Sequence, residues 1–293
     1  MHRSTIIPDP TSVVDLLQYW LERQVPTTKL AWLNEKRDQI AQASEKALFA
    51  AFSAVPRHVG KEDLQLTEAD LQMAEKLRTG WLPQCWSVDQ ISRTLLLLAL
   101  PHEDAEAYVK SLEKLFAAAD VAELVALYQS LPLLPHPERL RKRAIEGLRS
   151  NITTVFNAIA LHNPYPADYF DQPAWNQMVL KALFVGSPLN LIWGLDQRAN
   201  PELAQMLRDY AHERWAAKRP IAPQLWRSVA PFANTEILAD FEKVLNDPDS
   251  VQRQAGALAC SQSPLPEAKA LLSRFSDLNT LVQSGTLTWQ SLH

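Results

Sequence analysis

Glycine is scarce in this chain, with 7 residues among 293, whereas proline is frequent, with 20. All-β proteins need glycine in tight turns and alternating apolar and polar residues in strands, and the sequence has neither feature. Glycine-rich loops that bind nucleotide phosphates are absent as well. The prolines fall between helical patterns, which is typical of helices joined by short turns.

Cysteine is rarer still. Cys85 and Cys260 lie far apart in the sequence, and neither belongs to a CxxC or Cys/His pattern. This favours a reduced, cytoplasmic protein without a zinc site. The chain also has no GxSxG and no HExxH motif. We therefore expect no catalytic residues of those classes, no metal and no cofactor.

Long apolar segments are missing too. The longest uncharged run, from Ser150 to Ala167, contains three Asn, one His and two Pro, so it is a poor membrane span. The first ten residues, MHRSTIIPDP, include no apolar segment, and we expect no secretory signal. A net charge of −4 and a pI near 6.0 argue against a protein that binds nucleic acid.

The chain does contain apolar residues at helical spacing, in roughly fifteen segments of about ten to twenty residues each. Thr67–Asp70 and Ser87–Gln90 have the residue types of capping boxes. One helical pattern is predicted to run from Lys29 and stop before Pro56, another helix to cover Gln172–Val185, and one apolar stripe continues from Leu140 to Ile159. Together with short turns such as NDPDS near the C-terminus, this predicts an all-α protein, an irregular α-solenoid of HEAT-like helix pairs.

The sequence suggests three regions. Residues 1–135 form an N-terminal helical region, 136–232 a central helical region, and 233–293 a C-terminal set of HEAT-like helices. One continuous domain is the alternative.

The segment Ser150–Leu195 is unusually poor in charge. Its 46 residues include only Asp168, Asp171 and Lys181, where the chain average of 21% charged predicts about ten. Such segments are expected to contact protein on several sides, and buried amides need hydrogen-bond partners. We therefore predict a buried polar network, either structural or lining a pocket. Its polar members are Asn151, Thr153, Thr154, Asn157, His162, Asn163, Tyr165, Asn176, Gln177 and Asn190.

The strongest local signature is the sequence HNPYP at 162–166, an uncharged turn with an imidazole, an amide and a phenol. As structure, it reverses the chain between two buried helices. As function, its side chains line a pocket.

A run of basic residues precedes this segment. It either holds a phosphate or a nucleic acid, or forms the solvated face of one amphipathic helix in an acidic protein. Its members are Arg139, Arg141, Lys142, Arg143 and Arg149.

The three charges inside the segment suggest an enzymatic alternative. Asp168 and Asp171 resemble faintly the aspartate motifs that bind magnesium diphosphate in all-helical prenyl-chain enzymes, but a second acidic cluster is missing. A buried Lys181 would serve as a base or an amine nucleophile, unless it pairs with Asp196 or Glu213.

Four stretches between Arg143 and Trp226 carry a specific pattern: RAIEGLRSNITTVFNAIALHNPYP, AWNQMVLKALF, GLDQRANPELAQMLRDYAHERWAAKR and PQLW. In these stretches the chain resembles the EboA family of metabolite-traffic proteins. The resemblance implies a component of a bacterial gene cluster that also encodes a prenyltransferase-like membrane protein and hydrolase-like or sugar-phosphate-like enzymes. It implies a role in moving secondary-metabolite precursors toward the periplasm, and it transfers no catalytic residue.

We therefore expect a non-enzymatic helical adaptor or carrier in secondary-metabolite traffic or export. It would be cytoplasmic, or peripheral at the inner membrane, and would act with other proteins of the cluster, including the membrane prenyltransferase-like protein, and with a small metabolite. The alternative is an isoprenoid- or aromatic-metabolite enzyme centred on Asp168, Asp171 and Lys181. The candidate residues for ligand or partner binding are Asn151, Asn157, His162, Asn163, Tyr165, Trp175, Asn176, Lys181, Arg198 and Arg214.

Overall fold

The computed structural model describes residues 7–42 and 44–292 and is all-α, as the sequence predicts. Residues 1–6, which belong to the N-terminal segment expected to lack a secretory signal, lie outside the described residues. Within the described ranges the chain forms no β-strand, and a single bridge joins Asp63 to Ser87. No helix in these ranges has both the length and the apolar character needed to cross a membrane.

The chain forms two compact units, Met1–Asp171 and Gln172–His293. The N-terminal unit contains α1 (Pro10–Glu22), α2 (Thr27–Ala41), α3 (Glu45–His58), α4 (Glu68–Leu77), α5 (Val88–Leu98), α6 (Ala105–Ala118), α7 (Val121–Ser130), α8 (Arg141–Gly147), α9 (Thr153–Ala160) and α10 (Tyr165–Tyr169). The C-terminal unit contains α11 (Gln172–Val185), α12 (Pro201–Ala216), α13 (Trp226–Val229), α14 (Ile237–Leu245), α15 (Ser250–Gln262), α16 (Pro266–Ser273) and α17 (Ser276–Gln283). The division into three regions stays a prediction.

Helix α5 is the centre of the N-terminal unit. Every residue of α5 except Gln90 is buried, and the helix contacts α1, α2, α3 and α7. A helix that is buried on all sides needs other helices around it, and its polar side chains need partners within the protein. Both predicted capping boxes are confirmed, since Thr67–Asp70 begins α4 and Ser87–Gln90 begins α5.

The expectation of one helical pattern from Lys29 to just before Pro56 is wrong, because α2 ends at Ala41 and α3 runs from Glu45 to His58. Proline has no N–H, so the carbonyl of Phe52, one turn earlier, loses its normal helical donor. The buried guanidinium of Arg93 on α5 replaces that donor: its Nε donates to the Phe52 carbonyl at 3.1 Å. Arg93 also forms an ion pair with Asp89 and lies over the Phe52 ring at 5.4 Å. A side chain from another helix thus makes the internal proline tolerable.

The single apolar stripe expected from Leu140 to Ile159 is also wrong, because the helix breaks between Gly147 and Thr153. A Cβ at position 147 would lie 2.4 Å from the ring of Tyr128, so close packing requires glycine there. Glycine weakens helices, and Ser150 competes with the helix by accepting a hydrogen bond from the backbone N–H of Ile152 at 3.1 Å. Ile152 is consequently 43% exposed.

The HNPYP turn lies between α9 and α10. His162 adopts a left-handed backbone conformation (φ 54°), which lets the chain reverse. The buried amide of Asn163 donates to the carbonyls of Tyr128 and Ala158 at 3.1 and 2.9 Å, and its oxygen accepts the N–H of Tyr165 at 3.0 Å. One amide side chain therefore joins this turn to α7 and to the end of α9.

The C-terminal unit is arranged around α15, which contacts α13, α14, α16 and α17. The predicted turn NDPDS joins α14 to α15, and Asp249 caps α15 by accepting the N–H of Val251 at 2.9 Å. Gly256 allows close approach, since a Cβ there would lie 3.1 Å from the backbone nitrogen of Leu245. The helix predicted over Gln172–Val185 is confirmed as α11, and Asn200 caps α12.

We expect Arg93→Met to destabilise the protein by about 3 kcal/mol, because it leaves a buried carboxylate and the Phe52 carbonyl without their partners. In a Pro56→Ala background the restored N–H satisfies that carbonyl, and the cost of Arg93→Met should fall by about 1 kcal/mol. Urea unfolding of the two single variants and the double variant measures this coupling. Strictly additive costs would show that Arg93 does not compensate for Pro56.

Asn163→Asp removes both amide donors in a buried site and should lower the free energy of unfolding by about 3 kcal/mol. The matched control is Asn151→Asp, which makes the same chemical change at an exposed position and should stay within about 0.5 kcal/mol of wild type. Thermal and urea unfolding of both variants gives the comparison. Equal effects at the two positions would contradict the role assigned to Asn163.

Candidate functional site

A surface groove of about 770 Å³ lies on the N-terminal unit. We call it the cationic groove, and define it by its nine lining residues: Glu106, Val109, Lys110, Glu138, Arg139, Arg141, Lys142, Asp168 and Tyr169. They come from α6, from the 3₁₀ turn Pro137–Leu140 and the start of α8, and from α10. Residues separated by up to 63 positions in the sequence thus share one concave surface.

Local structure explains how α6 presents its part of the groove. Asp104 caps the helix by accepting the N–H groups of Glu106 and Ala107 at 2.9 and 3.1 Å. Side chains at 106, 109 and 110 then share one face because of the 3.6-residue helical period. By fixing the first turn of α6, the Asp104 cap also fixes the face of the helix that carries Lys110.

The opposite part of the groove depends on the turn before α8. His136 has a left-handed backbone (φ 53°), and its Nε2 lies 2.7 Å from the carbonyl oxygen of His102. Pro137 follows at the first position of the 3₁₀ turn, where its missing N–H has no cost. This turn carries Glu138 and Arg139 and leads directly into Arg141 and Lys142.

The buried Tyr165 contacts two parts of the groove wall. Its buried hydroxyl donates to the carbonyl of Pro137 at 2.5 Å, and its ring packs on that of Tyr169 with centroids 4.8 Å apart. Burial raises the pKa of Tyr169 to about 12. The Tyr169 hydroxyl therefore stays protonated well above neutral pH and can donate a hydrogen bond. The HNPYP turn thus supports the groove indirectly, because Tyr165 holds the 3₁₀ turn Pro137–Leu140 and packs against Tyr169.

Four cationic side chains of the groove are exposed: Lys110, Arg139, Arg141 and Lys142. In the described part of the chain none of them forms a hydrogen bond or an ion pair. Their neighbour Arg143 differs, since it forms ion pairs with Glu113 and Glu146 and lies 5.5 Å from the Phe116 ring. The predicted basic run therefore divides into one structural arginine, three cations that line the groove, and Arg149, which is exposed and lies outside the groove.

Asp168 also lines the groove, and its carboxylate forms an ion pair with Arg78, whose side chain is 5% exposed. The Nε of Arg78 donates to the carbonyl of Pro132 at 3.2 Å. Asp168 is therefore neutralised by an arginine that the core holds in place. Asp171, the second acid of the enzymatic alternative, is exposed, and Lys181 is half-buried on α11.

The expected buried network of amides is confirmed only in part. Asn163, Tyr165 and Asn176 are buried, and Asn157 and His162 are half-buried. Burial lowers the pKa of His162, and its Nδ1 lies 3.2 Å from the Gln84 amide. The expectation of burial is wrong at five positions that are exposed: Asn151, Thr153, Thr154, Gln177 and Asn190. The first three fail because the helix break places them in a loop and at the first turn of α9.

Several candidate residues of the C-terminal unit come together at the start of α12. The amides of Asn176 and Asn200 bond to each other at 2.9 and 3.3 Å, and Asn200 also binds the carbonyl of Arg198. The Arg198 guanidinium lies 5.0 Å from the centre of the buried Trp175 ring. These contacts hold the cap of α12 in place.

Arg214 lies elsewhere on the same unit. Its Nε donates to the carbonyl of Pro220 at 3.0 Å, and its guanidinium lies 5.9 Å from the Tyr210 ring. The first contact fastens the end of α12 to the segment that follows it, and the second lies within α12 itself.

None of the ten candidate residues lines the cationic groove. Arg139, Arg141 and Lys142 could be found from the basic run, but Lys110 and Tyr169 have no signal in the sequence, because tertiary folding alone brings them to that run. A second cavity of about 530 Å³ is lined by residues that include Gln24, Lys29 and Gln65. There Lys29 donates to the Val59 carbonyl and Gln24 accepts the N–H of Gln65, so its polar groups serve the fold.

Comparison with known proteins places the chain in a family. The family described as metabolite traffic protein EboA matches residues 13–230, which extends well beyond the resemblance between Arg143 and Trp226 and includes every residue of the cationic groove. No curated protein and no solved structure matches the chain. Because the match covers well over half of the 293 residues, the chain belongs to the EboA family of metabolite traffic proteins.

Proposed function

We propose that this protein is a non-enzymatic carrier in secondary-metabolite traffic, and that it binds its cargo in the cationic groove. The observation that carries the proposal is the groove itself, a concavity of about 770 Å³ on the part of the chain that matches the family. Small-molecule sites typically have volumes of about 300–1,000 Å³. The groove therefore has room for a small metabolite.

The walls of the groove support a carrier because they are held by buried contacts. Tyr165 fixes the turn that carries Arg139, and Arg78 fixes Asp168 on α10. Walls held in this way are formed before a ligand arrives, which lowers the entropic cost of binding. The side chains that face the ligand, by contrast, are free to arrange themselves around it.

We propose partners that suit a carrier. A carrier would deliver its cargo to other proteins of its gene cluster, including the prenyltransferase-like membrane protein, while staying cytoplasmic or peripheral at the inner membrane. We also propose that the helices stack as an irregular solenoid of HEAT-like pairs. The successive contacts of α14 with α15, α15 with α16, and α16 with α17 support that arrangement.

The carrier role predicts that filling the groove stops traffic. Val109→Trp places a large side chain on the lining of the groove and should lower export about tenfold, the effect of about 1.4 kcal/mol of lost binding. The control is Met73→Trp, which introduces the same side chain at an exposed position of α4 outside the groove. Each variant replaces the native gene in a producing host, and mass spectrometry compares the cluster's product in cells and medium. Unchanged export with a folded, normally abundant Val109→Trp protein would refute the groove as the cargo site.

A further inference from the structure

We propose that the cargo of the cationic groove is an anion, a phosphate or carboxylate group attached to an aromatic or otherwise apolar body. This inference rests on the carrier function proposed above and names the chemical class that the groove recognises. Three observations support it: the excess of positive charge in the lining, the origin of the cations in two different elements, and the apolar surface beside them.

The lining has more positive than negative charge available to a ligand. Arg78 already neutralises Asp168, which leaves two exposed carboxylates, Glu106 and Glu138. Four cations outnumber these two acids, although the chain as a whole carries a net charge of −4. A concentration of one sign within a concave surface focuses the field and attracts ligands of the opposite sign.

The cations come from two elements that face the same space. Arg139, Arg141 and Lys142 follow one another on the 3₁₀ turn and α8, whereas Lys110 comes from α6. An arginine offers paired N–H donors that match the oxygens of a carboxylate or phosphate, and lysine supplies a compact charge. An anion in the groove would therefore meet donors from both walls.

Next to these cations the groove offers apolar surface. Val109 and the ring of Tyr169 line it, and Tyr169 is held in place by its packing on Tyr165. The protonated Tyr169 hydroxyl adds one neutral donor. Charge beside an aromatic face favours an organic anion over inorganic phosphate alone, because the apolar part of the ligand gains contacts as well.

An anionic membrane surface is the competing source of the same chemistry. Binding a bilayer needs apolar side chains that insert beside the basic ones. The large exposed hydrophobic residues of the described chain, such as Tyr19, Met73, Ile152 and Phe184, do not line the groove. The concave shape of the groove also suits a molecule that enters it better than a flat surface.

The test uses a matched pair of probes, 2-naphthyl phosphate and 2-naphthol, which differ in the anionic group. In calorimetric titrations, the full chain should bind 2-naphthyl phosphate measurably and should bind 2-naphthol at least about tenfold more weakly. Arg141→Glu/Lys142→Glu should weaken phosphate binding by about tenfold or more. The control, Lys61→Glu/Arg149→Glu, makes the same change in net charge at exposed residues outside the groove and should stay within about twofold of wild type.

Three results would overturn the proposal. These are equal affinity for both probes, equal loss in both double variants, and failure of the folded protein to bind 2-naphthyl phosphate. A fourth arm measures co-sedimentation with vesicles of phosphatidylglycerol and phosphatidylcholine. Vesicle binding that requires Arg141 and Lys142, without binding of the soluble probe, would assign the groove to a membrane surface instead.

The failures of the two proposals are distinguishable. If Val109→Trp stops export but charge reversal leaves probe binding unchanged, the groove is the cargo site and the cargo is not an anion. If the probe binds as expected but Val109→Trp leaves export normal, the groove binds anions and the carrier role fails.

Discussion

The N-terminal unit depends on one buried guanidinium. Arg93 lies in a helix surrounded by four others, and it is 2% exposed. A charge so deeply buried is tolerated only when its donors are satisfied, and here they meet the Asp89 carboxylate and a carbonyl that Pro56 leaves without a donor. Two defects that would each be costly alone, a buried cation and a proline inside a helix, therefore satisfy each other and fix α3 against α5.

From α5 a series of polar contacts leads to the groove. Thr94 on α5 shares a hydrogen bond of 2.7 Å with Ser130 at the end of α7. The carbonyl of Tyr128, on the same helix, accepts the amide of Asn163, which in turn orders the backbone of Tyr165. The hydroxyl of Tyr165 then holds the turn that carries Arg139. Each contact is local, yet together they make the groove wall an extension of the core.

The sequence predicts the all-α class and several helix ends because caps and prolines act locally. The two capping boxes and the cap at Asp249 in the NDPDS turn depend on residues within one turn of each other. The continuation of α3 past Pro56 could not be predicted, since its cause, Arg93, lies 41 positions away from Phe52. The same holds for the groove, where Lys110 meets Arg141 only after folding.

That none of the ten candidate residues lines the cationic groove has a related physical reason. The small number of charged residues in Ser150–Leu195 correctly predicted that Asn163, Tyr165 and Asn176 are buried. Burial and ligand binding, however, are different properties. The buried Asn163 amide, whose two N–H groups and oxygen all bond to backbone, is not open to a ligand. The capacity to bind a ligand belongs instead to polar groups that the fold leaves without a partner.

In this protein Arg78, Arg93 and Arg143 each form an ion pair with a carboxylate, whereas the cations of the groove form none in the described chain. In the groove the four cations outnumber the exposed acids Glu106 and Glu138, and an anionic ligand would reduce the repulsion among the cations.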